Sequence, residues 1–285
     1  DTMKVVVTGA AGRVGRAVLA DLKATGDYAI TAADRILPPS GLAQQSLLTD
    51  LSYSGSVYGA LTGADAVIHL GAYPDTSHHP IEEVFINNSA ASANVAAACI
   101  AFGIKCIVYA SSITTYGLGY QARDNGITAL PTDETISTRP DDFYALSKHV
   151  GEDIFTLGAS EHGLHVASLR IARVIGEDEY QRIAPRDNED ASFGLWSYVD
   201  ARDVAQAARL AIENLDALGP GNHAYNIGAA DSHTVAPLSE VIPKFVPELG
   251  ELAASLSGTE PAYGIAKAQK ELGYEPRYTW REEGR

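Results

Sequence analysis

The run Val5-Val6-Val7-Thr8-Gly9-Ala10-Ala11-Gly12-Arg13-Val14-Gly15 constrains the fold more than any other stretch. A β-branched segment passes through three glycines into an Ala/Leu helical pattern that ends near Gly26. At such a strand-to-helix turn the missing side chains let backbone N–H groups approach a pyrophosphate, and the helix N-terminus adds partial positive charge. The turn therefore offers Gly9, Ala11, Gly12, Arg13 and Val14 to a dinucleotide. Three glycines alone are weak evidence, and the strand before and helix after give them their weight. A second strand pattern, Ala29 to Ala33, closes on Asp34, about 20 residues beyond the turn, where a carboxylate accepts from adenosine ribose hydroxyls and repels a 2′-phosphate. NAD is thus expected over NADP, although Arg13, Arg16 and Arg35 moderate that repulsion.

Strand patterns follow at Ser46 to Thr49, Ala66 to Leu70 and Lys105 to Ala110, with a helical pattern from about Pro80 to Phe102 that Gly103 can stop. Asp142 is placed to cap a helix running to about Glu161, and a strand at His165 to Ile171, a helix at Ala201 to Leu215 and a strand at His223 to Ile227 continue the alternation. This is the βαβ rhythm of an α/β fold, a Rossmann-type doubly wound parallel sheet. The rhythm breaks around Gly176 to Trp196 and again after Ala229. The 285 residues are expected to form one unit, with residues 1–172 and 197–228 as cofactor-binding core and residues 173–196 and 229–285 as a small interrupted C-terminal substrate lobe.

A formal charge of −15 disfavours nucleic acid and anionic membrane surfaces. No apolar run reads as a bilayer span, and the chain enters a strand pattern at once, without a leader pattern. Cys99 and Cys106 sit in apolar segments and read as reduced core thiols of a cytoplasmic protein, with no metal expected. His78-His79 lacks a third ligand at useful spacing. The acidic run Asp187 to Asp190 reads as solvated surface, and Trp196 as a lobe-core aromatic.

Tyr144 and Lys148 stand at i and i+4, on one face of the expected helix. Ser111-Ser112-Ile113-Thr114 follows the fifth strand at the carboxyl edge of the sheet, where ligands of open α/β folds bind. These features, with Asp50-Leu51, His69-Leu70-Gly71-Ala72, Asn88, Leu169-Arg170, Tyr198 to Asp203 and Tyr225-Asn226-Ile227-Gly228, resemble the extended short-chain dehydrogenase/reductase family, its NAD-dependent epimerase/dehydratase group. The resemblance extends over nearly the whole chain. It implies Tyr144 as general base, Lys148 as the cation that favours its phenolate and holds the nicotinamide ribose, and Ser112 as the hydrogen-bonding partner of the reacting oxygen. Bringing a phenol to neutrality takes about 3 pKa units, or about 4 kcal/mol, of preferential phenolate stabilisation. The resemblance also implies that Arg35, Asp50, Leu51, Leu70, Gly71, Ala72 and Asn88 serve the cofactor, Asp50 at the adenine edge and Asn88 as a brace of the active-site strand. A homodimer through the two long helices is implied as well.

Members that dehydrate carry Thr-Asp-Glu where this chain has Ser112-Ile113-Thr114, so dehydration is not expected. The remaining readings are oxidation of a sugar or sugar acid, epimerisation of a sugar or nucleotide sugar, and a non-catalytic NAD sensor, against which the intact Ser112, Tyr144 and Lys148 set argues. The short lobe is similar in spacing to uronate dehydrogenases, but the loop after Ser112 departs from their Asn-His pattern, so those contacts do not carry over. Tyr73, Asp75, Ser112, Thr114 and Arg173 are the expected substrate-pocket residues, Arg173 being suited to a carboxylate or phosphate.

Overall fold

Val5, Val6 and Val7 are all buried although they point to alternate faces, so the first strand must be covered on both sides. The computed structural model describes residues 2–117, 126–188 and 193–283. Its strands are β1 (Met3–Thr8), β2 (Tyr28–Asp34), β3 (Gln45–Leu48), β4 (Ala66–His69), β5 (Cys106–Ser112), β6 (His165–Ile171), β7 (Arg173–Ile175), β8 (Tyr198–Asp200) and β9 (Gly221–Ile227). Seven of them form a parallel sheet in the order β3-β2-β1-β4-β5-β6-β9, and β7 pairs with β8 separately. The order reverses between β1 and β4, which is the doubly wound topology expected.

The principal helices are α1 (Arg13–Thr25), α2 (Ser54–Leu61), α3 (Ile81–Phe102), α4 (Phe143–His162) and α5 (Ala201–Leu218). Val5 and Val7 pack with Val18 and Leu22 of α1 and Val204 and Ala208 of α5. Val6 packs on the opposite face with Val57 of α2, Val95 of α3 and Phe155 of α4. Local chemistry sets the helix ends. Gly103 takes the left-handed conformation (φ 71°) that stops α3, and the Asp142 carboxylate accepts from Ala145 N at 2.7 Å to start α4.

The C-terminal region adds α6 (Leu238–Phe245), α7 (Gly250–Ala253), α8 (Ala266–Leu272) and α9 (Trp280–Glu283). Leu238, Val241, Leu272 and Tyr274 belong to the same apolar cluster as Val5 and Val204, so these helices extend the core of the sheet. Four features differ from the sequence reading. Helix α2 and the β7/β8 pair were not expected, because they are too short to carry a periodic pattern. Strand β5 runs on through Ser112, which makes Ser111 and Ser112 strand residues. Helix α3 has the length and apolar composition of a bilayer span, against the expectation that no segment does. It is a core helix, with Val84, Ala91, Val95 and Cys99 buried against the sheet and its neighbours.

Candidate active site

The carboxyl ends of β1 and β4 lie side by side, Thr8 opposite His69, where the strand order reverses. A cavity of about 890 Å³ opens there and runs from Asp34 to Ser197. Two of the three turn glycines are required by the chain itself. Gly9 has φ +67°, and a Cβ on it would lie 2.6 Å from Gly71 N; one on Gly15 would lie 2.1 Å from the Gly9 carbonyl oxygen. Gly12 has ordinary φ and meets nothing closer than 3.3 Å, yet it lines the cavity, so its missing side chain leaves room for a ligand rather than for protein. Asp34 is aimed by the Ala11 N–H, which donates to its carboxylate at 2.9 Å.

Arg13, Val14, Asp34, Arg35, Leu51 and Leu70 to Ala72 line this cavity with Gly9 and Gly12, whereas Ala11, Asp50 and Asn88 are not part of its lining. Asp50 pairs with Arg35 at 3.0 Å, and hydrogen bonds from Ser52 and then Arg35 hold its carboxyl at about 2. Arg35 also donates to the Tyr73 hydroxyl at 2.7 Å and to Asn87 at 3.0 Å. Asn88 accepts from Tyr73 N at 2.8 Å and donates to the Tyr73 carbonyl and to Ser147 Oγ, both at 3.1 Å, so it braces the Tyr73 segment and α4. Arg13 reaches across the slot to the Val174 carbonyl at 3.1 Å and to Glu179 at 2.9 Å.

Ser112, at the end of β5, and Tyr144 and Lys148, on the first turns of α4, face the other end of the cavity. Ser112 Oγ accepts from both Thr114 N (3.2 Å) and Thr114 Oγ1 (3.0 Å), which leaves its own proton available for donation. Lys148 is buried; its Nζ donates to the Ala110 carbonyl at 2.8 Å and lies 5.7 Å from the Tyr144 ring centre. Burial pulls its ammonium down to about 8. His69 beneath it is held neutral, lowered to about 3 by burial and then by the Lys148 charge. A cation, a phenol and a hydroxyl donor thus converge where a bound carbinol could be deprotonated.

Tyr73, Asp75, Thr114 and Arg173 all line the cavity as the sequence suggested. Arg173 is notable: its Nη1 is buried and has no hydrogen-bond partner among the described residues. Ser197 was missed by sequence reasoning, yet it lines the cavity, and its buried Oγ is likewise without a partner among the described residues. It follows Leu195 and Trp196, whose φ values of 48° and 56° are the left-handed backbone that non-glycine residues adopt only under constraint. Trp196 itself is buried near Phe245, as expected of a lobe-core aromatic. Asp187 is exposed, as expected of a solvated surface, and its carboxylate also accepts from the Val235 and Ala236 N–H groups at 2.8 and 3.0 Å, while Glu189 and Asp190 lie outside the described residues. His79 stacks on Tyr73 at 3.7 Å and His78 pairs with Asp75.

The model of the NAD-dependent epimerase/dehydratase family matches residues 5–228. The chain belongs to that family. It is similar to a uronate dehydrogenase of Pseudomonas putida, 28% identical over 233 residues that cover 81% of this chain and 78% of that protein. It is also similar to a UDP-glucose 4-epimerase of Streptococcus mutans, 26% identical, with 97% of this chain and 92% of that protein covered. In fold it matches a short-chain dehydrogenase/reductase superfamily protein of Agrobacterium tumefaciens solved with bound NAD, with a TM-score of 0.73 at 20% identity over 99% and 94% of the two chains. Members of the family are NAD-dependent enzymes, and NAD is the cofactor that the Gly12 space and the Asp34 carboxylate fit.

The division of labour among the glycines is testable. Gly12→Ala should cost under about 1 kcal/mol of stability but weaken NAD binding at least tenfold, whereas Gly15→Ala should lose about 1–3 kcal/mol of stability through the backbone clash. Urea unfolding and NAD titration by tryptophan fluorescence separate the two, and unchanged NAD affinity in Gly12→Ala would show that the space is not the cofactor's.

Burial of Lys148 makes a second prediction. Its folded value of about 8 lies below the ordinary 10.5, so between those values the unfolded chain holds more protons than the folded one, and stability rises with pH. In NAD-free protein, the stability of wild type relative to Lys148→Met should therefore increase from about pH 7 to about pH 10. Urea melts at several pH values measure it, and a difference independent of pH would mean that the ammonium is solvated.

Proposed function

We propose that the protein is an NAD-dependent dehydrogenase that oxidises a carbinol of a free sugar acid. Bound NAD supplies a hydride acceptor at its nicotinamide. Tyr144 takes the carbinol proton, Lys148 favours the phenolate electrostatically, and Ser112 donates to the reacting oxygen and holds it in line. The observation that carries the choice of substrate is Arg173 on the cavity wall, whose buried Nη1 has no hydrogen-bond partner among the described residues, with Ser197 Oγ likewise unpartnered. A guanidinium in that state matches a carboxylate, which pairs with it bidentately. Tyr73, Asp75 and Thr114 complete the substrate side. The similarity to a uronate dehydrogenase supports the same class of substrate. A second reading, epimerisation of a nucleotide sugar, is supported by the near-complete coverage of the Streptococcus mutans epimerase.

Incubation with NAD and a panel of uronic acids, neutral sugars and nucleotide sugars distinguishes these readings by absorbance of reduced cofactor. Net NADH with uronic acids is the expected result, and isomerised nucleotide sugar without net NADH would establish epimerisation instead. Tyr144→Phe should lower kcat by about 10²–10⁴-fold. Arg173→Met should raise KM for uronic acids by about 10–100-fold, the loss of one charge-assisted bond, and leave neutral sugars unaffected.

We also propose that the protein works in the cytoplasm as a homodimer, with no nucleic-acid or membrane partner. Two buried, unpaired cysteines support a reducing compartment. The solvent faces of α3 and α4 carry exposed Ile86, Phe143, Leu146 and Leu157, an apolar surface that a second copy would cover. Light scattering should give twice the chain mass for wild type and the chain mass for Leu146→Glu/Leu157→Glu; a monomeric wild type would rule the dimer out.

A further inference from the structure

The edge of the sheet opposite the active site brings together three side chains that the sequence keeps far apart. Cys106 opens β5, His165 opens β6 directly beside it in register, and Asp216 reaches over from α5. Cys106 Sγ lies 3.2 Å and His165 Nδ1 3.4 Å from the same Asp216 carboxylate oxygen, and all three atoms fall within 4.8 Å of one another. Metal bonds of about 2.0–2.3 Å in a tetrahedron would place such ligand atoms about 3.4–3.6 Å apart. The two distances to Asp216 are close to that, and the Cys106 Sγ to His165 Nδ1 separation, within 4.8 Å, closes to it by side-chain adjustment.

Ordinary hydrogen bonding does not account for the whole arrangement. The thiol bonds to Asp216, whereas His165 Nδ1 is buried, makes no hydrogen bond among the described residues, and stands at ion-pair distance, 3.4 Å, from the same carboxylate oxygen. A buried ring nitrogen without a proton partner is an available lone pair. The Cys106 side chain faces α5, whereas Lys105, its neighbour in the chain, bonds the His162 carbonyl at 2.6 Å at the end of α4, so that ammonium is turned away from the cluster. Asp216 is 82% exposed, which leaves the outer side of the cluster open to water as a fourth ligand.

We propose that Cys106, His165 and Asp216 form a binding site for a borderline divalent transition cation such as zinc, distinct from the hydride-transfer site and about 20 Å from it along β5. The thiol loses its proton to solvent as the metal–sulfur bond forms, and the thiolate, the His165 Nδ1 lone pair and one Asp216 oxygen replace waters of the hydrated ion, all of which return to solvent except one that stays as the fourth ligand. No electron is transferred. The site ties β5, β6 and α5 together at the amino edge, so occupancy stabilises the sheet without touching the cofactor.

The NAD-loaded full-length protein is titrated with zinc chloride, and with cobalt(II) as the spectroscopic stand-in. The expected result is one ion per chain, a thiolate-to-cobalt charge-transfer band, about one proton released per ion, and an unfolding midpoint raised by zinc. Cys106→Ser, His165→Gln and the exposed Asp216→Asn should each weaken binding at least tenfold while NAD affinity stays unchanged. Asp216→Asn alters a solvent-exposed side chain, so it decides the matter even if a core variant folds poorly. Absence of saturable binding, or binding that survives all three substitutions, as an ion held by His78 and Asp75 would, overturns the proposal.

Discussion

A buried ion pair, Glu152 with Arg170, holds the active site in register. Both side chains are 9% exposed, and the guanidinium clasps the carboxylate at two points, Nε to Oε1 at 3.0 Å and Nη2 to Oε2 at 2.8 Å. Taking two charges out of water costs several kcal/mol, which is offset only when the geometry is good and the remaining donors and lone pairs are met. Here they are. Ser111 Oγ donates to Glu152 at 2.5 Å, and Arg170 Nη1 donates to the Tyr116 hydroxyl, which donates in turn to Asn226. Asn226 then bonds the Thr132 and Gly264 carbonyls. Loss of either ion would strand the other and cost about 3–5 kcal/mol. Because Glu152 lies one turn beyond Lys148 and Ser111 precedes Ser112, the pair fixes α4 against β5 at the place where the cation and hydroxyl must meet.

Steric contacts set the depth at which α4 lies. A Cβ on Gly151 would come within 2.1 Å of the Tyr109 hydroxyl, so only glycine lets the helix approach the strand this closely. Tyr109, fully buried, stacks near His69 and Phe155 and gives α4 a rigid seat. With that spacing, the Lys148 stem passes through the core and its Nζ arrives at the Ala110 carbonyl, beside the cavity rather than in solvent. The ammonium is desolvated by this same packing. Close approach and electrostatics are therefore one design: the contact that excludes water from α4 also strengthens the field Lys148 exerts on Tyr144.

What could be read from the sequence was what the chain encodes locally. The glycine turn, Asp34 at the end of β2, the Asp142 cap and the i, i+4 spacing of Tyr144 and Lys148 each occupy a few consecutive residues, and the parallel sheet follows from their alternation. Longer-range features left no local trace. Arg13 bonds a carbonyl 161 residues away, Asp50 turns to Arg35, and the cluster at Cys106 needs residues from two strands and a helix. Ser197 enters the cavity only because Leu195 and Trp196 accept a left-handed backbone, which no propensity would assign to them. Nor could the sequence tell that Asp187 anchors backbone at Val235, since a carboxylate in an acidic run looks the same whether solvated or bonded.

Arg173 stands apart from the arginines that serve as ion-pair partners within the fold. Arg170 is matched by Glu152, Arg202 by Asp200 and Glu283, Arg209 by Asp21 and Glu213, and Arg281 by Asp231. Those cations serve the fold and are neutralised by it. At Arg173 burial, followed by the nearby Arg186 charge, disfavours the ionised form, while Nη1 keeps no partner. An unsatisfied buried donor on a cation lowers stability, and stable packing gives no reason to keep it. A ligand anion does, since the desolvation already borne by the empty site need not be supplied again on binding, and the rigid guanidinium loses little freedom. In the proposed reaction, such an anion seated at Arg173, with a carbinol at Ser112 and Tyr144, would be fixed at both ends, and the hydride-bearing carbon would be held still between them.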